Sequence, residues 1–359
     1  MIIEKNPRFF YGAVSADGFR SLFDKIYSAK EKWRAYIIKG GPGSGKSTFM
    51  KKIAESCGND NTLLGPCSSD PDSLDAVVFP DKKVCIIDGT APHVIEPKYP
   101  GICESIVNIG DCWDKDMLFK SGDDAITAFN ENAAHHRHAA RYISAIGSLL
   151  NGCMKTESAA VCSDKLQRFA KNLALRELGD AKGDNPTLHK CYLSAITPKG
   201  YIFYENTVHS LCKKVIAIED QQGECAHRIL SVILNEALIR GLEVIACLCP
   251  ILPDKRLEHL LIPSLSLAFC TSNSLHKIQT ATRRIHTLRF CNKDVIYRNK
   301  EKLNFSKKMT KELINGAVQL LTEAKASHDK MEQFYINAMD FDKLNLLCDK
   351  ICNEISLIK

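Results

Sequence analysis

Several familiar signals are absent from this sequence. No run of about 18 apolar residues occurs, so we expect no membrane span. The N-terminal stretch "MIIEKNPRFF" has no long apolar core, which argues against a secretory signal peptide. The sixteen cysteines include no CxxC pair, so the paired thiolates of a common zinc site are missing. We therefore expect a cytoplasmic protein with reduced thiols.

The composition is that of a folded globular protein. The chain has 359 residues, of which 45% are hydrophobic and 25% are charged, and its length suits two domains of ordinary size. Its net charge of +6 is concentrated between Lys277 and Lys330. A basic surface can bind nucleic acid, but no interleaved aromatic pattern accompanies this one. A solvated helix face is the favoured interpretation, and nucleic acid stays a weaker alternative.

One glycine-rich stretch carries most of the chemical information. Residues 40–47 read GGPGSGKS and match the pattern G-x-x-x-x-G-K-[ST]. Glycines in such a loop let backbone N–H groups approach phosphate oxygens, and the following helix directs its N-terminal dipole at the same place. Lys46 would neutralise the phosphates and assist catalysis, and the Ser47 hydroxyl would ligate Mg²⁺. The predicted nucleotide-binding residues are Gly40, Gly41, Gly43, Ser44, Gly45, Lys46, Ser47 and Thr48.

The best candidate for a second Mg²⁺ ligand is Asp88, which ends the apolar stretch "KVCIID". The next residue is Gly89, so the glutamate that activates water in many ATPases is missing at that position. Asp70 and Asp72 are the candidate catalytic carboxylates, because they follow a predicted strand at the edge where ligands bind. The alternative is that both aspartates cap the next helix. His93 is a weaker candidate for proton transfer.

The chain contains three pairs of similar segments in the same order. "GAVSADGF" resembles "SAITPKGY", "IKGGPGSGKSTFM" resembles "IEDQQGECAHRIL", and "VVFPDKKVCIIDGTAPH" resembles "LLIPSLSLAFCTSNSLH". This order predicts an internal duplication, with one half at residues 1–184 and the other at residues 185–359. In that alignment Lys46 falls over Ala226 and Ser47 over His227. The second half therefore lacks the residues that bind Mg²⁺ and nucleotide.

The coarse pattern alternates short β-branched runs with helical segments. Such alternation predicts an α/β fold with a parallel sheet flanked by helices, here a duplicated P-loop NTPase fold. Residues 114–179 and the tail after about Lys277 are mostly helical by pattern. We expect both regions to be helical additions to the two cores.

The sequence resembles a family of poorly characterised proteins with two P-loop halves, usually described as ATPases or ATP-binding proteins. The resemblance rests on "FFYGAVSADGF", "IIKGGPGSGKSTFMKKI", "DSLDAVV", "IIDGTAPHVIEPKYPG", "SAITPKGY" and the closing "HDKMEQFYINAMDF". It implies ATP binding through residues 40–48 and a tandem P-loop fold, without supplying a substrate. The second loop, "EDQQGECAHR", departs from the pattern of two intact P-loops.

Three functions follow as expectations. The first is a Mg²⁺-dependent ATPase whose hydrolysis moves its halves relative to one another. The second is a small-molecule or nucleotide kinase, which the Asp88–Gly89 pair favours. The third is a nucleotide-gated binding or scaffold protein with little turnover. ATP is preferred over GTP because no N-K-x-D motif occurs, and the protein partner or acceptor is not indicated.

Overall fold

Two mixed β-sheets form the framework of the protein in a computed structural model that describes residues 5–358. Residues 1–4 and 359, where the two predicted halves begin and end, lie outside the described residues. The elements of the first part of the chain are β1 (Gly12–Ser15), β2 (Gly18–Ser21), β3 (Arg34–Lys39), α1 (Lys46–Cys57), β4 (Leu63–Pro66), β5 (Leu74–Phe79), β6 (Val84–Asp88), β7 (Glu104–Asn108), α2 (Lys115–Lys120), α3 (Gly122–Ala160) and α4 (Ser163–Leu178).

The second part repeats this order with two additional elements, β8 and α5. Its elements are β8 (Thr187–Cys191), β9 (Ser194–Thr197), β10 (Gly200–Phe203), α5 (Glu205–Leu211), β11 (Lys214–Glu219), α6 (Glu224–Ile239), β12 (Glu243–Leu248), β13 (Leu257–Ile262), β14 (Leu267–Ser272), β15 (Arg283–His286), α7 (Lys293–Arg298), α8 (Lys300–Ala338) and α9 (Phe341–Ser356).

The strand orders of the two sheets correspond. The first sheet has the order β4-β5-β6-β3-β7, and the second has β8-β12-β13-β14-β11-β15. In each sheet the strand before the glycine-containing loop, β3 or β11, lies in parallel between two other strands. The two antiparallel hairpins β1–β2 and β9–β10 lie outside these sheets.

The predicted α/β fold is confirmed, but each sheet is mixed and not wholly parallel. β5 runs antiparallel to β4 and β6, and β13 runs antiparallel to β12 and β14. Only the short turn at Pro80–Lys82 joins β5 to β6, and a parallel connection needs a crossover of about a dozen residues or more. The interpretation of Asp70 and Asp72 as helix caps is also wrong, because strand β5 follows them.

The hydrophobic cores lie between the two sheets and between each sheet and its helices. Inner-face residues of both sheets share one core, to which β3 contributes Ile37 and β11 contributes Ala217. On the outer face of the first sheet, α1 and α9 pack together, and on the outer face of the second sheet α4 packs on α6. Each sheet is therefore covered by one helix from its own half and one from the other half.

The two longest helices connect the halves. α3 and α8 have 39 residues each and pack against each other, burying residues such as Ile143 and Leu321 between them. The predicted helical regions are helical in the structure, apart from β15 at the start of the tail. The division at residues 184 and 185 stays a prediction.

Candidate phosphate-binding site

The loop between β3 and α1 has the backbone that its glycines predict. Gly43 and Gly45 take positive φ angles of 69° and 81°, and Gly45 is the residue immediately before helix α1. A side chain at Gly43 would overlap the backbone of Glu332, and one at Gly41 would overlap the ring of Tyr335. The loop is thus held between α1 and the C-terminal part of α8.

The side chains of Lys46 and Asp88 lie close together beside this loop. The Lys46 ammonium group donates to the carbonyl oxygens of Gly40 at 2.9 Å and Gly41 at 2.7 Å. It lies 3.7 Å from the Asp88 carboxylate, and both side chains are nearly buried. Burial raises the pKa of Asp88, and the charge of Lys46 opposes this shift. The remaining Asp88 oxygen accepts from the Thr90 amide at 2.8 Å.

Several amide groups of this loop have no acceptor within the described part of the protein. Within residues 5–358, the N–H groups of Gly43, Gly45, Lys46 and Ser47 have no hydrogen-bond acceptor. No side chain caps the N-terminus of α1. Free amides at a helix N-terminus, together with the helix dipole, favour an anion. The Ser47 hydroxyl accepts from the Leu74 amide at 3.0 Å.

The corresponding loop of the second half is filled by the protein's own carboxylates. One Asp220 oxygen accepts from the amides of Gln222 at 3.1 Å and Gly223 at 2.9 Å, and the other accepts from Ala226 at 2.7 Å. Helix α3 contributes a second carboxyl group, that of Glu157. Together these groups take the place that an external anion would need.

Glu157 of α3 is the second of these carboxylates. It is 1% exposed, and one of its oxygens accepts from the amides of Glu224 at 2.9 Å and Cys225 at 3.3 Å. Burial and the neighbouring Asp220 raise the pKa of Glu157 to about 9. The side chain is therefore mainly protonated near neutral pH, which lets two carboxyl groups share one small space.

The structure corrects the alignment of the two loops. Gly223 has a φ of 91° and precedes helix α6, as Gly45 precedes α1. The second loop is thus two residues shorter than the alignment assumed. Lys46 corresponds to Glu224 instead of Ala226, and Ser47 corresponds to Cys225 instead of His227.

Asp88 and Thr271 occupy corresponding positions in the two sheets. Asp88 is the register partner of Ile38, and Thr271 is the partner of Ile218 at the same place in the second sheet. The second half therefore carries a glutamate in place of the lysine and a threonine in place of the aspartate.

The long helices account for the difference between the loops. Counted from the first residue of each 39-residue helix, Glu157 in α3 occupies the same position as Tyr335 in α8. Glu157 inserts a carboxyl group at the second loop, whereas Tyr335 places an uncharged ring beside the first loop, next to Trp113 at 5.4 Å between ring centroids.

The two candidate catalytic aspartates have different surroundings. Asp70 accepts from the Ser73 hydroxyl at 2.8 Å and lies 3.7 Å from the ammonium group of Lys325 on α8. The Asp72 side chain is 72% exposed and pairs with Lys199 at 2.5 Å, which lowers its pKa. The catalytic assignments of Asp70 and Asp72 stay predictions, and the surroundings favour Asp70.

His93 is a buried side chain on the inner face of the first sheet. Its Nε2 lies 3.1 Å from the Asp75 carboxylate, and the rings of Phe19 and Phe23 pack against it. Burial lowers the pKa of His93, but the charge and hydrogen bond of Asp75 and the charge of Asp88 together outweigh it, and the net shift is upward. Packing explains this histidine well, and proton transfer by it stays a prediction.

Two contributors to the site were not recognised in the sequence. The Thr90 hydroxyl donates to the Gly40 carbonyl oxygen at 2.9 Å and fixes the start of the loop. The turn of α8 that carries Glu332 and Tyr335 closes the loop from the other half. The second of these has no local signal, since it depends on how the long helices cross.

The chain matches none of the known protein families, curated proteins or solved structures with which it was compared. The resemblance to a tandem P-loop family therefore stays a prediction. Among the described residues, no helix is both long and apolar enough to cross a lipid bilayer.

Proposed function

We propose that the protein binds Mg²⁺–ATP at the loop of residues 40–47 and uses it in phosphoryl chemistry, most simply as an ATPase. One observation carries the proposal. The first loop leaves the amides of Gly43, Gly45, Lys46 and Ser47 without acceptors, whereas carboxylates fill the corresponding place in the second loop. A polyphosphate would supply the acceptors that the first loop lacks.

The proposed roles follow from the chemistry of each side chain. Lys46 would offset the phosphate charge, since its ammonium group already contacts the Gly40 carbonyl oxygen of the loop and lies near Asp88. The Ser47 hydroxyl and the Asp88 carboxylate would hold Mg²⁺, which prefers such oxygen ligands. When bound, the ion neutralises charge on the phosphates. Tyr335 would exclude water from one side of the loop.

The proposal extends to the fold of the two halves. We infer a P-loop NTPase fold in both halves, related by an internal duplication. The corresponding strand orders support this inference, as do the left-handed glycines Gly45 and Gly223 at the start of α1 and α6. In this view the second half has kept its fold and replaced the nucleotide with its own carboxylates.

A small-molecule or nucleotide kinase is the second candidate. Gly89 follows Asp88, so no carboxylate occupies the position from which many ATPases activate water. In a kinase a carboxylate instead orients the acceptor hydroxyl, and Asp70 beside Lys325 is the residue best placed for this. A nucleotide-gated scaffold remains the third candidate if ATP binds without turnover.

The test is calorimetric titration of the full chain with ATP and Mg²⁺, comparing the unchanged protein with Lys46→Ala. Lys52→Ala is the matched control, because Lys52 lies on the same helix and makes only an exposed ion pair with Asp349 at 2.9 Å. We expect Lys46→Ala to weaken ATP binding by at least about tenfold. Equal affinities for all three proteins would refute the proposed site.

Turnover then separates the candidate activities. Phosphate release from ATP, absent in Lys46→Ala and retained in Lys52→Ala, supports the ATPase. Binding without phosphate release, followed by phosphorylation of an added acceptor, supports the kinase. Binding with neither reaction leaves the gated scaffold.

A further inference from the structure

A β-bulge in the second sheet places two polar side chains on its inner face. Cys247 pairs with His259 and Leu248 pairs with Leu257, so Glu258 is an extra residue between them. Neighbouring residues of a regular strand point to opposite faces, whereas a bulge re-aims one of them. Glu258 and His259 thus come within 4.0 Å of each other.

A third ligand-type side chain joins them from a different element. His276 follows strand β14, and its ring centroid lies 5.0 Å from that of His259. One donor atom each of Glu258, His259 and His276 lie within 4.8 Å of one another. The three residues are 1%, 0% and 3% exposed, and the ring of Phe203 packs against both imidazoles.

Apart from the ion pair between Arg256 and Glu258, these buried side chains have few polar partners. In the part of the chain that the structure describes, two side-chain atoms on each of Arg256, Glu258, His259 and His276 have no hydrogen-bond partner. Arg256 lies 3.3 Å from one Glu258 oxygen without hydrogen-bond geometry. Buried polar atoms are nearly always paired, so unpaired atoms that converge on one point indicate a missing ligand.

We propose that Glu258, His259 and His276 bind a single divalent transition-metal ion, with zinc as the best fit. Two imidazoles and one carboxylate are a recognised zinc donor set. Zinc bonds of about 2.0–2.1 Å would require the donor atoms to close to about 3.3 Å from their present separations of at most 4.8 Å.

The surroundings suit such an ion. Arg256 faces the Glu258 oxygen turned away from His259, and can orient the carboxylate in the way that outer partners orient metal ligands. The ion would tie the bulge of β13 to the segment after β14.

The corresponding place in the first half does not carry the same proposal. The register shifts there too, with Asp75 as the extra residue, and Cys67, Asp75 and His93 lie close together. His93 Nε2, however, already lies 3.1 Å from the Asp75 carboxylate, so these two groups pair without a metal, and within residues 5–358 only His93 Nδ1 of this pair lacks a hydrogen-bond partner. The two halves therefore differ here as they do at their loops.

The test is metal analysis of the full chain after incubation with Zn²⁺ and removal of loosely bound ions by gel filtration. We expect about one zinc per chain, and loss of this zinc in Glu258→Gln and His276→Asn. His209→Asn is the matched control, because His209 lies in the same half and pairs with Glu205 on one helix. Circular dichroism checks that each variant is folded.

Co²⁺ provides a readout that needs no variant. Cobalt bound by imidazole and carboxylate gives visible d–d bands, whereas thiolate ligands add an intense near-ultraviolet band. We expect the first without the second. Absence of stoichiometric metal, a thiolate band, or full zinc content in folded Glu258→Gln and His276→Asn would each overturn the proposal. None of these results depends on ATP, so the nucleotide site is judged separately.

Discussion

Glu157 offers a sharp test of how the second loop is closed. Replacing it with alanine removes the acceptor of the Glu224 and Cys225 amides, which lie 2.9 Å and 3.3 Å from its oxygen. A buried amide left unpaired costs about 1–3 kcal/mol, so two such amides predict a loss of roughly 2–6 kcal/mol in the free energy of unfolding. Urea denaturation followed by circular dichroism measures this loss.

The matched variant is Glu157→Gln, which keeps one carbonyl oxygen as an acceptor. Because the pKa of Glu157 is raised to about 9 in the folded protein, the native side chain is mainly protonated near neutral pH and resembles glutamine. We therefore expect Glu157→Gln to cost less than about 1 kcal/mol at neutral pH. Equal losses for the alanine and glutamine variants would refute this explanation.

The pH dependence supplies a second signature of the same group. The folded-state pKa of Glu157 lies above its ordinary value of 4.5, so the folded protein binds the extra proton. The stabilisation of the folded protein by this proton is complete below a pH of about 4.5 and is lost as the pH rises through about 9. Unfolding free energies of Glu157→Gln should fall less over this window than those of the unchanged protein. Parallel pH profiles would contradict the assignment.

Three further predictions concern the first half. Gly43→Ala should lower the free energy of unfolding by about 2 kcal/mol or more in a urea titration, because the φ of Gly43 is 69° and the new Cβ would overlap the backbone of Glu332. Unchanged stability would mean that α8 does not hold the loop. Asp72→Asn should lower the free energy of unfolding by less than about 1 kcal/mol and change phosphate release by less than about twofold, since the ion pair of Asp72 with Lys199 is exposed. A large drop in turnover would support a catalytic role for Asp72. Asp88→Asn should weaken ATP binding by about tenfold with Mg²⁺ and much less without it; equal effects would argue against a metal role.

The sequence predicts the parts of the site that are local. The strand before the loop, the left-handed glycines, the helix start at Lys46 and the strand ending at Asp88 all follow from residue type and spacing, and the structure has each of them. Backbone geometry and apolar runs determine these features within a few residues. Their chemical meaning, ATP and Mg²⁺ binding, stays a prediction.

The parts that depend on distant contacts could not be predicted. Glu157 lies on a long helix, where a glutamate looks like any solvated side chain, although the fold buries it against the start of α6. Likewise, nothing near Tyr335 indicates that it contacts Gly41. No local signal marks Glu258 as a bulge residue, because a bulge is defined by the partner strand.

Equilibrium dialysis of the full chain against labelled ATP with Mg²⁺ tests the central claim most directly. The account predicts about one nucleotide bound per chain, with an affinity that falls by at least about tenfold in Lys46→Ala. Two nucleotides per chain would show that the carboxyl groups of Asp220 and Glu157 do not fill the second loop. Binding of one nucleotide with unchanged affinity in Lys46→Ala would place ATP elsewhere and contradict the account.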